Sequence, residues 1–399
     1  MQNKNSLLLT SLLIPLGISA STHAAPLPSG EGKAADGGVG EGIRVLEYHP
    51  APGQYVNTMP AFQEGDTYAE LLRRCEDQLN DGLLVHLGAY GGYITVALPQ
   101  PVTNGKGSDL RILGNAFYSA SDPKYGDKTI GGSVEPGIVY AGVGSSPETA
   151  EWYELAGSEY YTTEIHDYEI TYYKPTAEEG DHSLPFYAYD KYIRWTARWT
   201  GKDGTPQTAE GWQPKNIYHD QTYWPLWETA DKLVFRGGKL PDNAVNYGGD
   251  GTDDDNSPYW VLYRYASDSY GYADAAPNND ETYTTFDLDW AVDADGNPVS
   301  LDHADFIRIQ TGVNQHCSWL GETSTEVGAI TNLHLQPGYD DNPIVITPRK
   351  RPTSVGSVSD ANRREVARYT IDGRRLSEPV PGVNIIRYSD GTARKVVVR

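Results

Sequence analysis

Apolar and polar positions alternate along this chain in a way that predicts many short strands and one helix. Tyr93-Ile94-Thr95-Val96-Ala97-Leu98 has period two and is entered through Gly91-Gly92. The same period recurs at 109–113, 137–140, 168–173, 192–199, 259–265, 286–292 and 306–310. Short aromatic and β-branched runs with turn residues between them predict antiparallel strands. No long helical segments intervene, which argues against a parallel α/β sheet. One stretch has helical spacing: Leu71, Leu72, Cys75 and Leu79 follow a capping box made by Thr67 and Glu70. Asn80-Asp81-Gly82 ends it, with Gly82 suited to the left-handed position. The expectation is a mainly β chain: an antiparallel jelly-roll-like β-sandwich with one N-terminal helix.

The pattern breaks at both ends. Lys4 precedes an apolar run from Leu7 to Ile18, and Thr22 and Ala24 precede a small-residue cut before Ala25. This is the layout of a secretory signal peptide over 1–24, and the apolar run is shorter than the roughly 20 residues of a membrane span. A Gly/Pro-rich leader follows over 25–42, and the sandwich is expected over 43–347. A basic, Ser-rich linker occupies 348–362, and 363–399 reads as a small β-module whose Asp372-Gly373 and Asp390-Gly391 mark turns between alternating runs.

Composition sharpens the compartment. The 399 residues carry 54 acidic and 32 basic side chains, a net charge of −22, which repels phosphates and argues against nucleic acid as a partner. Residues 349–399 hold twelve Lys or Arg against five Asp or Glu, so the surplus of acid lies in the remainder. No segment beyond the N-terminal run is apolar enough to span a bilayer, so a soluble, exported body is expected. In that compartment the two cysteines, Cys75 and Cys317, favour a disulfide over two buried thiols.

Candidate chemistry is sparse. Gly88, Gly91 and Gly92 are not followed by a helix, so they read as a bulge or close backbone approach rather than a phosphate loop. The histidines form no H-E-x-x-H or spaced Cys/His cluster, and no G-x-S-x-G elbow accompanies a serine. Asp167 with Glu169, and Asp287 with Asp289, are carboxylate pairs with strand spacing, which solvated strand faces explain more cheaply than catalysis. The run containing Asp250, Asp253 and Asp255 is a candidate Ca²⁺ loop, although its spacing is not that of an EF-hand. Aromatic clusters carry the strongest binding signal: Tyr223, Trp224 and Trp227 around Pro225, and Trp195 with Trp199 on one strand face. Rigid rings with polar edges suit sugars, whereas the competing reading is core packing.

The segments "VLEYHPAPGQYVN" (45–57), "DLRILGNAF" (109–117), "EPGIVYAGV" (135–143), "EWYELAGSEYYTTEIHDYEITYY" (151–173) and "DFIRIQTGVNQHCSWLGETSTEV" (305–327) resemble a family of bacterial cell-surface proteins without an established biochemical activity. The tail over 364–399, with strand, D-G-R, strand, D-G and a final basic strand, resembles the C-terminal sorting domain of type IX secretion cargo. The resemblances imply a surface-displayed sandwich exported by outer-membrane secretion machinery and accessory to glycan or corrinoid uptake. The segment before Trp152 lacks the Asn/Gly/Asp-rich loop expected of the family. Together these readings favour non-catalytic binding of an extracellular ligand, most simply a glycan. The alternatives are a hydrolase or lyase on the same scaffold and a surface-layer or corrinoid-uptake accessory.

Overall fold

The computed structural model describes residues 42–119, 130–176, 189–216, 219, 221–246, 260–317, 320–349, 365–370, 374–376, 378–388 and 393–398. The expected signal peptide, most of the expected leader and linker, and Asp250, Asp253 and Asp255 lie outside the described residues. The chain divides into two compact units, Met1–Pro348 and Arg349–Arg399.

The first unit is mainly β, and its strands pair antiparallel. Its largest sheet has seven strands, with Arg44–His49, Tyr93–Ala97, Phe306–Thr311, Gly137–Val143, Glu151–Leu155 and Ala291–Val292 in spatial order and Tyr272–Ala273 pairing beside Gly137–Val143. Strand periodicity puts Ile94, Val96, Ile307, Ile309, Val139, Ala141 and Leu155 on one face, where they form the main core. Leu110, Ile112, Phe286 and Ile330 of a three-stranded sheet close that core from the other side. The helix Tyr68–Asn80 adds Leu71, Cys75 and Leu79 to it.

That helix begins and ends as its sequence dictates. Thr67 accepts from the Glu70 N–H, the Glu70 carboxylate accepts from the Thr67 N–H, and Gly82 has φ 70°. Thr67→Ala is expected to cost about 1 kcal/mol, read as a lower denaturant midpoint with an unchanged slope.

A four-stranded sheet, Pro206–Asn216, Tyr189–Thr200, Ile165–Tyr173 and Lys232–Lys239, builds a second core. Ile170, Tyr172, Ile193 and Phe235 from this sheet pack there with Tyr90, Tyr223 and Trp224.

Two expectations fail here. Cys75 and Cys317 are buried free thiols rather than a disulfide. Cys75 belongs to the main core, while Cys317 packs with Val134, Ala244 and Leu262 in a separate cluster, so each thiol serves as a small apolar side chain where it lies. The run 286–292 is not one strand: Leu288–Trp290 is a 3₁₀ turn between Thr285–Phe286 and Ala291–Val292. The Asp287 carboxylate accepts from the Asp289 N–H and nucleates that turn, so the two aspartates do not share a strand face.

The second unit contains a four-stranded antiparallel sheet in the order Arg375–Leu376, Glu365–Thr370, Gly382–Tyr388, Ala393–Val398. Asn384 is buried in it and bonds the backbone of Val380 from both ends of its amide.

Candidate functional site

The second face of the seven-stranded sheet is polar and aromatic. Cross-strand register lines up Glu47, Thr95, Arg308, Tyr140 and Glu154 in one row across five strands. A parallel row runs through His49, Tyr93 and Gln310. Trp152 lies opposite Gly142, where a Cβ would come within 2.8 Å of the indole, so the ring can lie flat across the neighbouring strand.

Arg308 is held at the centre of this face. Its guanidinium carbon lies 4.0 Å from the Trp152 ring centroid and 4.6 Å from that of Tyr93. Nη2 bonds Glu47 at 2.7 Å and Nε bonds Thr95 at 2.9 Å. Two aromatic faces, a carboxylate and a hydroxyl fix the fork in one orientation, with donors left over for a ligand.

The edge strand Lys232–Lys239 forms the opposite wall. Gln310 Nε2 donates to the carbonyls of Gly91 (2.9 Å) and Arg236 (3.1 Å), while the Tyr140 hydroxyl accepts from the Gly238 N–H at 3.3 Å. Between the walls is a groove of about 570 Å³, lined by Tyr93, Trp152, Arg308, Gln310, Val234 and Arg236 among others. A neighbouring groove of about 740 Å³ shares Arg236 and Gly237 with it and is lined by His166, Arg198 and Trp199. Arg198 and Arg236 both pair with Glu169, which leaves one positive charge in excess among these three residues.

The aromatics singled out from sequence divide between packing and groove. Tyr223 and Trp224 are buried in the second core. Trp227 is half-buried against the main core, with its ring on Tyr48 and Phe62. Trp195 packs at the margin of the second core, and Trp199 does so while also lining the neighbouring groove. Asp167 accepts from the Thr200 N–H, so it fastens a strand end. Asp293 accepts from the N–H groups of Asp295 and Asn297 and so closes a tight turn.

A buried ionic network lies elsewhere in the unit and had no sequence signal beyond the polar run 321–326. His86 Nδ1 is 2.5 Å from Glu326 Oε1, and its Nε2 is 3.5 Å from Glu322 Oε1. Burial opposes the charged imidazole, but the hydrogen bonds and charges of the two glutamates outweigh it and raise the His86 pKa to about 9. Burial also pushes Glu322 upward, yet His86 holds it below the usual carboxylate range. Asp274 accepts from the N–H groups of Asn115, Ala116 and Glu326, and burial pushes its carboxyl up, as it does that of Glu135. Ser324 Oγ lies 3.0 Å from Nδ1 and 3.2 Å from Nε2, but Glu326 and Glu322 already face those two nitrogens and the hydroxyl is buried, so the group is not presented to a substrate as a hydrolase triad is.

No protein-family model matches this chain, and no curated protein matches it. Among the described residues, no helix is long and apolar enough to cross a membrane.

Proposed function

We propose that this chain is an exported cell-surface protein that binds an extracellular glycan, without catalysis, in the groove over the polar face of the seven-stranded sheet. The observation that carries this reading is Arg308, clamped between Trp152 and Tyr93 on the floor of an open groove. Sugars present apolar C–H faces to aromatic rings and hydroxyls or carboxylates to a fixed guanidinium and amide. A side chain already ordered by its neighbours loses little entropy on binding. The tail over 364–399, by its resemblance to type IX sorting domains, would deliver the protein to the outer-membrane exterior.

The hydrolase or lyase alternative has its best carboxylates in Glu154, at the end of the same row, and Glu164 close beside it. The side chain of Glu164 is 0% exposed, out of reach of a substrate in the groove, which favours binding over turnover. The full-length chain tested against neutral and uronate-containing oligosaccharides, with and without chelator, is expected to bind at least one. Trp152→Ala should weaken that binding at least tenfold, and Trp152→Phe should weaken it less, while the circular dichroism spectrum is unchanged. Unaltered affinity in Trp152→Ala, or product formation from a bound sugar, would overturn the assignment.

A further inference from the structure

We infer that Glu154, Glu164 and His166 form a binding site for one divalent transition-metal ion, such as Zn²⁺ or Mn²⁺. One carboxylate oxygen from each glutamate and one imidazole nitrogen lie within 4.8 Å of one another. Ligands about 2.1 Å from a common ion stand roughly 3.4–4.2 Å apart, so a small inward shift completes the set. The site stands apart from the glycan reading and does not depend on it.

The backbone brings the three together for local reasons. Glu154 sits on the Glu151–Leu155 strand, opposite Tyr140. Glu164 immediately precedes the Ile165–Tyr173 strand and His166 is its second residue, so an extended chain puts the two side chains on one side. Gly238 leaves the room: a Cβ there would stand 2.0 Å from Glu164 Oε1. The Tyr160 ring, centred 4.2 Å from the His166 ring, holds the imidazole in place.

A second observation points to a ligand independently of that clustering. Both Glu164 oxygens and Glu154 Oε1 are buried and receive no hydrogen bond, while the His166 Nδ1 lies 3.4 Å from Glu164 Oε1. A buried carboxylate without a donor is costly, and such groups are ordinarily paired or bound to a cation. Two carboxylates balance a 2+ charge, and the imidazole selects a transition metal over Ca²⁺ or Mg²⁺. The half-exposed His166 side chain supplies the way in.

The test uses the full-length protein stripped with chelator and titrated with Zn²⁺ by calorimetry and with Co²⁺ by visible absorption. One ion per chain is expected, with Co²⁺ giving the spectrum of a mixed nitrogen–oxygen site and Zn²⁺ raising the melting temperature. Glu164→Gln and His166→Ala should each lower affinity at least tenfold. Glu164→Gln keeps shape and removes charge, so its metal-free melting temperature should match or exceed that of the parent. Unchanged Zn²⁺ affinity in both variants, no binding at millimolar metal, or tighter binding of Ca²⁺ than of Zn²⁺ would overturn the inference.

Discussion

His86→Leu is expected to lower the free energy of unfolding by roughly 3–5 kcal/mol, because it leaves Glu322 and Glu326 facing each other without a cation in the interior. The same imidazole makes stability depend on alkaline pH. In the unfolded chain a histidine releases its proton near 6.5, whereas the folded His86 keeps it to about 9. Between those values the folded state binds a proton that the unfolded state lacks, so stability falls as pH rises through the window. The contribution is complete below 6.5 and is on the order of 3 kcal/mol. Glu322, held below its ordinary range, works the opposite way, and its contribution disappears on acidification. Denaturant melts at pH 6, 7.5 and 9 should show a steady decline in the parent and a shallower one in His86→Leu. Equal slopes would remove His86 from the explanation.

Gly88→Ala is expected to destabilise by roughly 4 kcal/mol, from about 1–3 kcal/mol of backbone strain and about 1–3 kcal/mol of overlap. Gly88 has φ +74°, and a Cβ on it would stand 1.9 Å from the Ala51 carbonyl oxygen. That oxygen belongs to backbone and cannot rotate away. Gly92 is equally confined, since a Cβ there would meet the Leu87 carbonyl oxygen at 1.8 Å. Soluble expression and chemical denaturation of Gly88→Ala beside Gly65→Ala make the comparison. Gly65 also has positive φ but meets nothing within 4 Å, so the difference between the two variants isolates the clash.

These glycines also mark how far the chain could be read without coordinates. Close backbone approach at 88–92 was legible, because glycines at a strand entrance with no helix after them have few other uses. So were the helix, from Thr67, Glu70 and Gly82, and the alternation of 306–310, because each depends on neighbours a few residues away. What was not legible is pairing over distance. Arg308 meets Glu47 across 261 positions and His86 meets Glu326 across 240, and nothing in either local pattern names its partner. The polar half of Phe306–Thr311 was visible as alternation, but only the register reveals that it joins Trp152, Tyr93 and Tyr140. The disulfide expectation failed for a related reason: an even count and a compartment say nothing of which cluster each thiol enters. Tyr223 and Trp224 went to the interior because the apolar area of a large ring outweighs the polar edge that would suit a wet surface.

The stitching of Lys232–Lys239 by Gln310 and Tyr140 reaches beyond the groove it borders. A sheet margin whose outward carbonyl at Arg236 and amide at Gly238 are already occupied offers no template there for a strand from another molecule. Copies crowded side by side would therefore have little reason to zip together along this border, and the cleft beside it would keep its width when empty.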